Sequence, residues 1–352
     1  MDVQLAGTGG PAGWPQPGCL CASCSHARRA GQARAPTQIV IDGAIRIAGP
    51  PWPAAPAGYL AEPVAGGLEV TAPDGSRLLC AAGPGAAPLP PDGARPYDVA
   101  LLDLLGEPAQ LGGLRRRGLV TGTTAVAVIH VDHRAPSPQE FARRRRLWRV
   151  NAAGDGDHIT VTRPAARPAK QMSRPWRVLL LGGASSGKSA EAELRLAAEP
   201  YVTYVAAAGP VPPGDAEWSA RVATHRARRP SWWRTVETTD LAGVLRAADG
   251  RSGAVLIDSI GSWLTAVLDE SGGWRLPPGD RVAGRIDELA AAWRDTRGHV
   301  IAVSEEAGSG VVPHTRSGRI FRDELGRLNQ VLAAQSEEAI LVVAGRLLSL
   351  PG

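Results

Sequence analysis

The chain has 352 residues, 44% apolar and 21% charged, a composition typical of folded globular proteins and unlike that of disordered chains. This length exceeds one ordinary domain and predicts two domains of roughly 150–200 residues each. No apolar run approaches the ~20 residues of a membrane span. No basic and apolar leader opens the sequence, and four cysteines do not make a disulfide framework, so we expect a cytoplasmic protein.

The formal net charge of +5 belongs entirely to residues 1–173, because acidic and basic residues balance over residues 174–352. A basic half suits nucleic-acid or anion contact, but this excess is small for its length, and we expect no nucleic-acid partner. Almost all cationic residues are arginines, and only Lys170 and Lys188 are lysines. A lysine in so arginine-rich a chain suggests a role that arginine does not fill.

Short apolar runs between glycine and proline clusters predict several strands in the first domain, residues 1–162. The predicted strands are Gln38–Ile47, Gly67–Thr71, Arg77–Cys80, Asp98–Leu105 and Thr124–Val131. The segment Ser137-Pro-Gln-Glu140 has the pattern of a capping box and predicts a helix to about Trp148. We interpret the run Arg143–Arg146 as a solvated face of this helix, since no aromatic platform for nucleic acid accompanies it.

The polar, proline-rich segment 163–175 predicts a linker, and strands alternate with helices over residues 176–352. The predicted strands are Arg177–Leu181, Val202–Ala206, Ala254–Asp258, His299–Ser304 and Glu338–Ala344. The predicted helices are Lys188–Ala198, Asp215–Arg226, Ser259–Leu268, Asp280–Arg294 and Gly318–Gln335. This alternation indicates an α/β domain with a mostly parallel sheet covered by helices on both faces.

A phosphate-binding motif lies between the first predicted strand and helix of this second domain. Residues 182–189 fit the pattern G-x-x-x-x-G-K-[ST], which predicts a P-loop NTPase-type fold. Backbone N–H groups and the helix N-terminus would hold the phosphates, Lys188 would supply a compact charge, and Ser189 would offer a hydroxyl to Mg²⁺. The predicted nucleotide-binding residues are Gly182, Gly183, Ala184, Ser185, Ser186, Gly187, Lys188 and Ser189.

Two further residues are candidates for the same site. Asp258 ends an apolar strand, where a carboxylate that binds Mg²⁺ is expected, although it is equally placed to cap the next helix. His225 lies in a predicted helix among arginines, and its spacing alone favours an ordinary surface histidine. Arg226, Arg228 and Arg229 would suit contacts with phosphate or ribose beside a nucleotide site.

Over about residues 177–350 the chain resembles the bifunctional adenosylcobinamide kinase/adenosylcobinamide-phosphate guanylyltransferase family. The resemblance rests on an ordered set of segments: the P-loop, Tyr204–Ala206, Ala220–Pro230, Trp233–Glu237, Leu256–Thr265, Gly308–Pro313, Arg319–Gln330 and Leu341–Leu347. It implies phosphorylation of adenosylcobinamide, then GMP transfer from GTP through a guanylylated His225, with ATP or GTP and Mg²⁺ in the kinase step. It also places Glu237 and Asp258 at nucleotide contacts and suggests a homo-oligomer.

The chain departs from the family's usual residues at several positions near these motifs. The family commonly has Arg at Ser185, Asn-Glu at Glu305-Glu306, Met at Ser309 and Glu-Asn at His314-Thr315. These departures bear on efficiency and nucleotide preference. Two alternatives stay open: another P-loop kinase without a covalent nucleotide, and a nucleotide-binding regulatory protein with a basic N-terminal binding half.

The ends of the first domain resemble metallo-β-lactamase-fold proteins related to phosphodiesterases of phosphonate metabolism, which implies an α+β fold for this domain. The segments concerned are Leu5–Pro11, Gly18–Cys24 and Val126–His133. Those hydrolases need a His-x-His-x-Asp-His cluster, which this sequence does not contain. The resemblance therefore implies a shortened, non-catalytic relative in which His130 matches a position for a catalytic metal but is idle.

Cys19, Cys21 and Cys24 follow a C-x-C-x-x-C spacing that can bring three thiolates to one zinc ion. The fourth ligand would be His26 or His133, and the alternative is a set of reduced thiols without metal. The resemblance favours His133, because the related fold ties its cysteine loop to a histidine after a late strand. A distant ligand also closes a long loop, which stabilises a domain with a thin core.

Overall fold

The computed structural model describes residues 1–64, 66–82, 94–161, 175–208, 226, 228–251, 253–274 and 280–351. The chain divides into two compact units, residues 1–170 with 197–200, and residues 171–196 with 201–352. The division falls within the predicted linker, whose residues 163–174 lie outside the described ranges. Within those ranges, no helix has both the length and the apolar character needed to cross a membrane.

The described part of the first unit contains two β-sheets. The first sheet consists of β1 (Asp2–Gly7), β2 (Gln38–Ile41), β3 (Ile45–Ile47) and β9 (His158–Thr160), in the order β3-β2-β1-β9. The second consists of β4 (Leu60–Val64), β5 (Gly67–Thr71), β6 (Arg77–Ala81), β7 (Val99–Leu102) and β8 (Ala125–Val128), in chain order. All neighbours in the first sheet are antiparallel, whereas β6, β7 and β8 run parallel.

Apolar side chains from both sheets form a single core in this unit. Val3 and Leu5 of β1 pack in one cluster with Leu68 and Val70 of β5, because alternate residues of each strand point to the same face. The accompanying helices are α1 (Ala22–Arg29), α2 (Ala109–Arg116) and α3 (Pro138–Trp148). Two sheets packed together with helices agree with the metallo-β-lactamase-like α+β domain expected from the sequence.

Seven strands form one sheet in the described part of the second unit. They are β10 (Trp176–Gly182), β11 (Val202–Ala206), β12 (Arg234–Glu237), β13 (Ala254–Asp258), β14 (His299–Glu305), β15 (Glu338–Val343) and β16 (Arg346–Leu350). Their order is β12-β11-β13-β14-β10-β15-β16. Every neighbouring pair is parallel except β15 and β16, which form an antiparallel hairpin at the edge.

Helices cover both faces of this sheet, as the sequence predicts. They are α4 (Lys188–Leu196), α5 (Leu241–Ala247), α6 (Ile260–Ser271), α7 (Asp280–Asp295) and α8 (Arg316–Ala334). In β10, Leu179 and Leu181 enter one apolar cluster, whereas Val178 and Leu180 enter another. The central strands are therefore apolar on both faces, which explains their continuous apolar runs.

Several elements differ from the sequence predictions. The single strand predicted at Gln38–Ile47 is wrong: it is a hairpin, because Asp42 and Gly43 adopt left-handed φ angles of 50° and 69°. Asp-Gly is a common hairpin turn, so the signal was present in the sequence. The short or polar elements β1, β4, β9, β12, β16, α1, α2 and α5 had not been predicted. The predicted helix Asp215–Arg226 lies outside the described residues except for Arg226.

Candidate functional site

The predicted P-loop connects the end of β10 to the start of α4. Ser185 and Gly187 adopt φ angles of 56° and 99°, so the backbone turns through a region that most side chains disfavour. A Cβ added at Gly182 would lie 2.5 Å from Ser186 Oγ, so glycine permits this close approach of strand and loop. Gly183, Ala184 and Ser185 are exposed, and the loop is therefore accessible to a ligand.

Lys188 and Ser186 are the buried polar residues of this loop. The Lys188 ammonium donates to the carbonyl oxygen of Gly183 at 3.2 Å. Ser186 Oγ is buried and has no hydrogen-bond partner among the described residues. A buried hydroxyl without a partner costs free energy, and a ligand that fills the loop, such as a phosphate, is one way to supply that partner. Ser189 follows at the start of α4 and is half-buried.

The loop is also supported by the hairpin of β15 and β16. The N–H of Gly345, in the hairpin turn, donates to the carbonyl oxygen of Ser186 at 2.8 Å. A Cβ added at Gly187 would lie 3.4 Å from the Cα of Gly345, so the two glycines lie side by side. The turn of a hairpin at the edge of the sheet thus fixes the middle of the P-loop.

Asp258 is the last residue of β13, and the P-loop follows the last residue of β10. Because these strands run in the same direction, both features lie at the carboxyl ends of the parallel strands. The hydroxyl of Tyr204, on the neighbouring β11, donates to Asp258 Oδ2 at 3.0 Å. Burial, and next the Asp258 carboxylate, raise the pKa of Tyr204 above its ordinary value, so the phenol remains a hydrogen-bond donor at neutral pH. The oxygen donors of Asp258 and Ser189 are of the kind that Mg²⁺ prefers.

The alternative role of Asp258 as a helix cap is wrong. Ser259 is the N-cap of α6, and its side chain accepts the N–H of Ser262 at 3.1 Å. The N-cap of this helix is therefore Ser259 and not Asp258.

Two arginines that follow His225 in the sequence contact residues of β11 and α4. The guanidinium carbon of Arg229 lies 3.4 Å from the centroid of the Tyr204 ring, and this arginine is buried. Arg228 forms an ion pair with Glu193 of α4 at 3.4 Å. Burial raises the pKa of Glu193, and Arg228 opposes this shift. Arg226 is exposed, and His225 itself lies outside the described residues.

Glu237 and Glu305 end two other strands of the sheet. Glu237 is exposed at the end of β12, in register with Ala206 of β11. Glu305 ends β14, and its Oε1 lies 3.8 Å from Lys188 Nζ. Its Oε2 accepts the N–H of Gly261 at 3.1 Å. Sequence reasoning treated Glu305 only as a departure from a family pattern; its place at the end of a buried strand, like that of Asp258, was the signal.

In the first unit, the structure brings the predicted zinc ligands together. One ligand atom from each of Cys19, Cys21, Cys24 and His133 lies within 4.8 Å of the others. Cys21 is the N-cap of α1 and accepts the N–H of Cys24 at 3.4 Å, which lowers the pKa of Cys21. Burial raises the pKa of Cys24 to about 11. Three sulfurs and an imidazole nitrogen are a donor set that fits tetrahedral zinc.

The two other histidines considered for this domain are separate from that group. His26 Nδ1 lies 3.3 Å from the carbonyl oxygen of Pro136. His130 has a φ angle of 55° and lines a cavity of about 290 Å³, and burial lowers its pKa. Among the described residues, the group containing His133 is the sole cluster of three or more possible ligands that is found.

Comparisons with known proteins match the second unit to one kind of protein. A family model described as cobinamide kinase / cobinamide phosphate guanyltransferase matches residues 178–350. The bifunctional adenosylcobalamin biosynthesis protein CobP of Pseudomonas aeruginosa is 40% identical over 181 residues, which are 50% of this chain and 98% of that protein. CobU of Salmonella typhimurium is 37% identical over 176 residues, which are 48% of this chain and 96% of that protein.

Two solved structures resemble parts of the chain at 15% identity. Zn²⁺-bound PqqB from Methylobacterium extorquens gives a TM-score of 0.30 and covers 46% of this chain and 100% of its own. The P4 protein of bacteriophage phi6 in complex with ADP gives a TM-score of 0.25 and covers 53% of this chain and 58% of its own. Likeness at this level assigns neither a fold nor a function.

A phosphate loop at the carboxyl end of β10, with Asp258 at the carboxyl end of β13 two strands away in the same parallel sheet, defines a P-loop nucleotide-binding protein. The alignment with CobP covers 98% of that protein at 40% identity, which identifies one family within this class. The chain belongs to the cobinamide kinase / cobinamide phosphate guanyltransferase family. Membership confirms the resemblance noted in the sequence and favours it over an unrelated kinase or a regulatory protein.

Proposed function

We propose that the second unit phosphorylates the aminopropanol hydroxyl of adenosylcobinamide and then transfers GMP from GTP to that phosphate through His225, giving adenosylcobinamide-GDP. The observation that carries the proposal is the anchoring of Arg229 on Tyr204, beside Asp258. Arg229 follows His225 by four positions in the sequence, and its contact with Tyr204 supports assigning the transfer step to this part of the chain.

In the kinase step, the substrate hydroxyl oxygen forms a bond to the γ-phosphorus of ATP or GTP. The bond from that phosphorus to the bridging oxygen breaks, and the hydroxyl proton leaves to solvent. The backbone of the P-loop and Lys188 would stabilise the charge that develops on the transferring phosphate. Ser189 and Asp258 would hold Mg²⁺, which supplies further neutralisation of phosphate charge when bound.

In the guanylyltransferase step, a neutral imidazole nitrogen of His225 would attack the α-phosphorus of GTP and release pyrophosphate. An oxygen of the cobinamide phosphate would then displace the histidine and take over the GMP. Arg226, Arg228 and Arg229 would contact phosphate or ribose, and Glu237 would contact the nucleotide. The phosphate donor of the kinase step is either ATP or GTP in this proposal.

The first unit would hold one structural Zn²⁺ on Cys19, Cys21, Cys24 and His133 and would have no hydrolase activity. We expect a cytoplasmic homo-oligomer without a nucleic-acid partner. The arginine run of α3 supports the last point, since Arg143 and Arg144 pair with Glu140 and Arg145 lies over the Phe141 ring. The domain assignment is residues 1–162, a linker at 163–175, and the kinase/guanylyltransferase domain at 176–352.

The decisive experiment is incubation of the full chain with GTP labelled on its α-phosphate, followed by mass mapping of labelled peptides. We expect label on His225 and its loss in His225→Ala, with kinase activity retained at least in part. His158→Ala changes an exposed histidine outside the family's motifs and serves as the control. Undiminished incorporation of GMP in His225→Ala would assign the nucleophile to another residue.

A further inference from the structure

Glu305 places a negative charge next to the lysine of the P-loop. Its Oε1 lies 3.8 Å from Lys188 Nζ, and its side chain is 34% exposed. A carboxylate at this distance partly neutralises the positive charge of the lysine. The phosphates of a nucleotide would therefore be attracted less strongly than by an isolated lysine. The phosphate-binding loop of this chain is therefore less cationic than its lysine suggests.

The carboxylate of Glu305 is held in place by groups other than Lys188. Oε2 accepts the N–H of Gly261 in the first turn of α6, and a Cβ at Gly261 would collide with this oxygen. The carbonyl oxygen of Glu305 accepts a hydrogen bond from Asn329 at 3.0 Å, and Asn329 in turn accepts one from Ser304 at 2.6 Å. The hydrogen bond from Gly261 holds the carboxylate itself, and the Asn329 contact holds the main chain of Glu305, so the negative charge has support near the loop that does not depend on Lys188.

A fixed negative charge affects the two forms of a nucleoside triphosphate differently. A metal-free triphosphate brings its full negative charge to the loop and is repelled by the carboxylate. Chelation by a divalent cation removes part of that charge and places a cation among oxygen atoms, where a carboxylate is a favourable neighbour. Glu305 therefore weakens binding of the metal-free triphosphate, whereas binding of the metal-chelated triphosphate is unaffected or strengthened.

We propose that Glu305 is a specificity-determining residue that makes this site select metal-chelated nucleotide over free nucleotide. The inference rests on the proposed function only in requiring that the P-loop bind a nucleoside triphosphate. It concerns equilibrium binding and needs neither of the two transfer reactions, so binding alone tests it.

The test measures the dissociation constant of guanosine 5′-(α,β-methylene)triphosphate by calorimetry on the full chain, with Mg²⁺ and with EDTA. This probe cannot lose pyrophosphate, so no covalent product forms. In Glu305→Gln we expect affinity for the metal-free probe to rise about tenfold, as expected for loss of one nearby charge, while affinity with Mg²⁺ stays equal or falls. The preference for the chelated form should therefore shrink about tenfold or more.

A matched control is the neighbouring Glu306→Gln. Glu306 carries the same charge, but its Oε1 accepts the N–H groups of Gly308 and Ser309 in the next loop. This variant should keep the wild-type preference. Glu305→Asn removes the charge of Glu305 on a shorter side chain and should reproduce the result of Glu305→Gln, which guards against misfolding of a single variant.

An unchanged preference in both Glu305 variants would overturn the inference while leaving the proposed function intact. An equal change in Glu306→Gln would also overturn it, because the effect would then come from general surface charge. If the wild-type chain bound neither form of the probe, the nucleotide-binding role of the loop would fail, and this inference with it.

Discussion

The guanidinium group of Arg229 stacks on the ring of Tyr204, with 3.4 Å between the guanidinium carbon and the ring centroid. The hydroxyl of the same tyrosine donates to Asp258, so one aromatic side chain contacts both Arg229 and the last residue of β13. Arg229 belongs to the sequence segment Ala220–Pro230, which matches the family's histidine motif. Tyr204 thus joins this arginine to β13, the strand that carries the proposed Mg²⁺ ligand Asp258.

Arg229→Ala should lower covalent incorporation of GMP by about tenfold or more, because it removes a cation–π contact with Tyr204 worth about 1–2 kcal/mol. GMP incorporation and binding of the α,β-methylene probe are measured in parallel. Arg297→Ala removes an exposed arginine of the same unit and is the control. Full incorporation in Arg229→Ala would show that the stacking has no role in the transfer.

Lys188→Ala should impair both transfer reactions, because the same loop binds the phosphates in each. Loss of one lysine contact to a transferring phosphate costs several kcal/mol of transition-state stabilisation, and we expect rates to fall by about a hundredfold or more. Lys188→Arg should not restore them, since a planar fork does not fit the place of a compact ammonium. Both rates are measured under saturating nucleotide, and unchanged rates would refute the role of the loop.

Metal analysis of the full chain should find one zinc ion per chain. His133→Ala should lose the ion or release it to a chelator much faster, because only three of the four proposed ligands remain. His26→Ala is the matched control and should keep the metal, since His26 is not part of the cluster. A chain purified without zinc, or full retention in His133→Ala, would contradict the site.

The thermal stability of the chain should fall at acidic pH partly because of His130. Burial lowers the folded-state pKa of His130 below its ordinary value of 6.5, so the unfolded chain binds its proton more readily. The contribution of this residue is therefore present above about pH 6.5 and is lost as pH falls toward the lowered folded value.

His130→Asn should reduce this pH dependence, which is read as the change in Tm between pH 5.5 and pH 7.5. Asparagine tolerates the left-handed φ angle of 55° at this position better than most residues do. His158→Asn, at an exposed histidine, is the comparison. Equal pH dependence in wild type and His130→Asn would show that His130 is not the group responsible.

The sequence predicted the parts of the fold that depend on long apolar patterns. The parallel strands of the second unit are apolar on both faces, so β11 and β13 were predicted with the bounds that the structure has. Elements such as β9 and β12 were missed because they are short and largely polar, and pairing with a neighbouring strand decides their structure. The hairpin between β2 and β3 was not predicted, although its turn residues Asp42 and Gly43 are typical of hairpins.

The candidate sites differ in how far local pattern determines them. The P-loop is contiguous, so its spacing alone indicated its chemistry. The cysteine cluster needed a distant fourth residue, and the resemblance, supported by the longer loop that a distant ligand closes, favoured His133 over His26. The position of Glu305 at the end of an apolar strand was a signal, but its role comes from contacts with Lys188 and Gly261, which are far from it in sequence.

The support of the P-loop by Gly345 has a consequence for biosynthesis. On the ribosome, β10 and α4 emerge well before the hairpin whose turn donates a hydrogen bond to Ser186. The nascent chain therefore carries its complete phosphate-binding sequence, from residue 189 until residue 345 is added, without the contact that fixes the loop. A product terminated before residue 345 would carry the complete motif and still lack this support, so the motif alone does not make a finished nucleotide site.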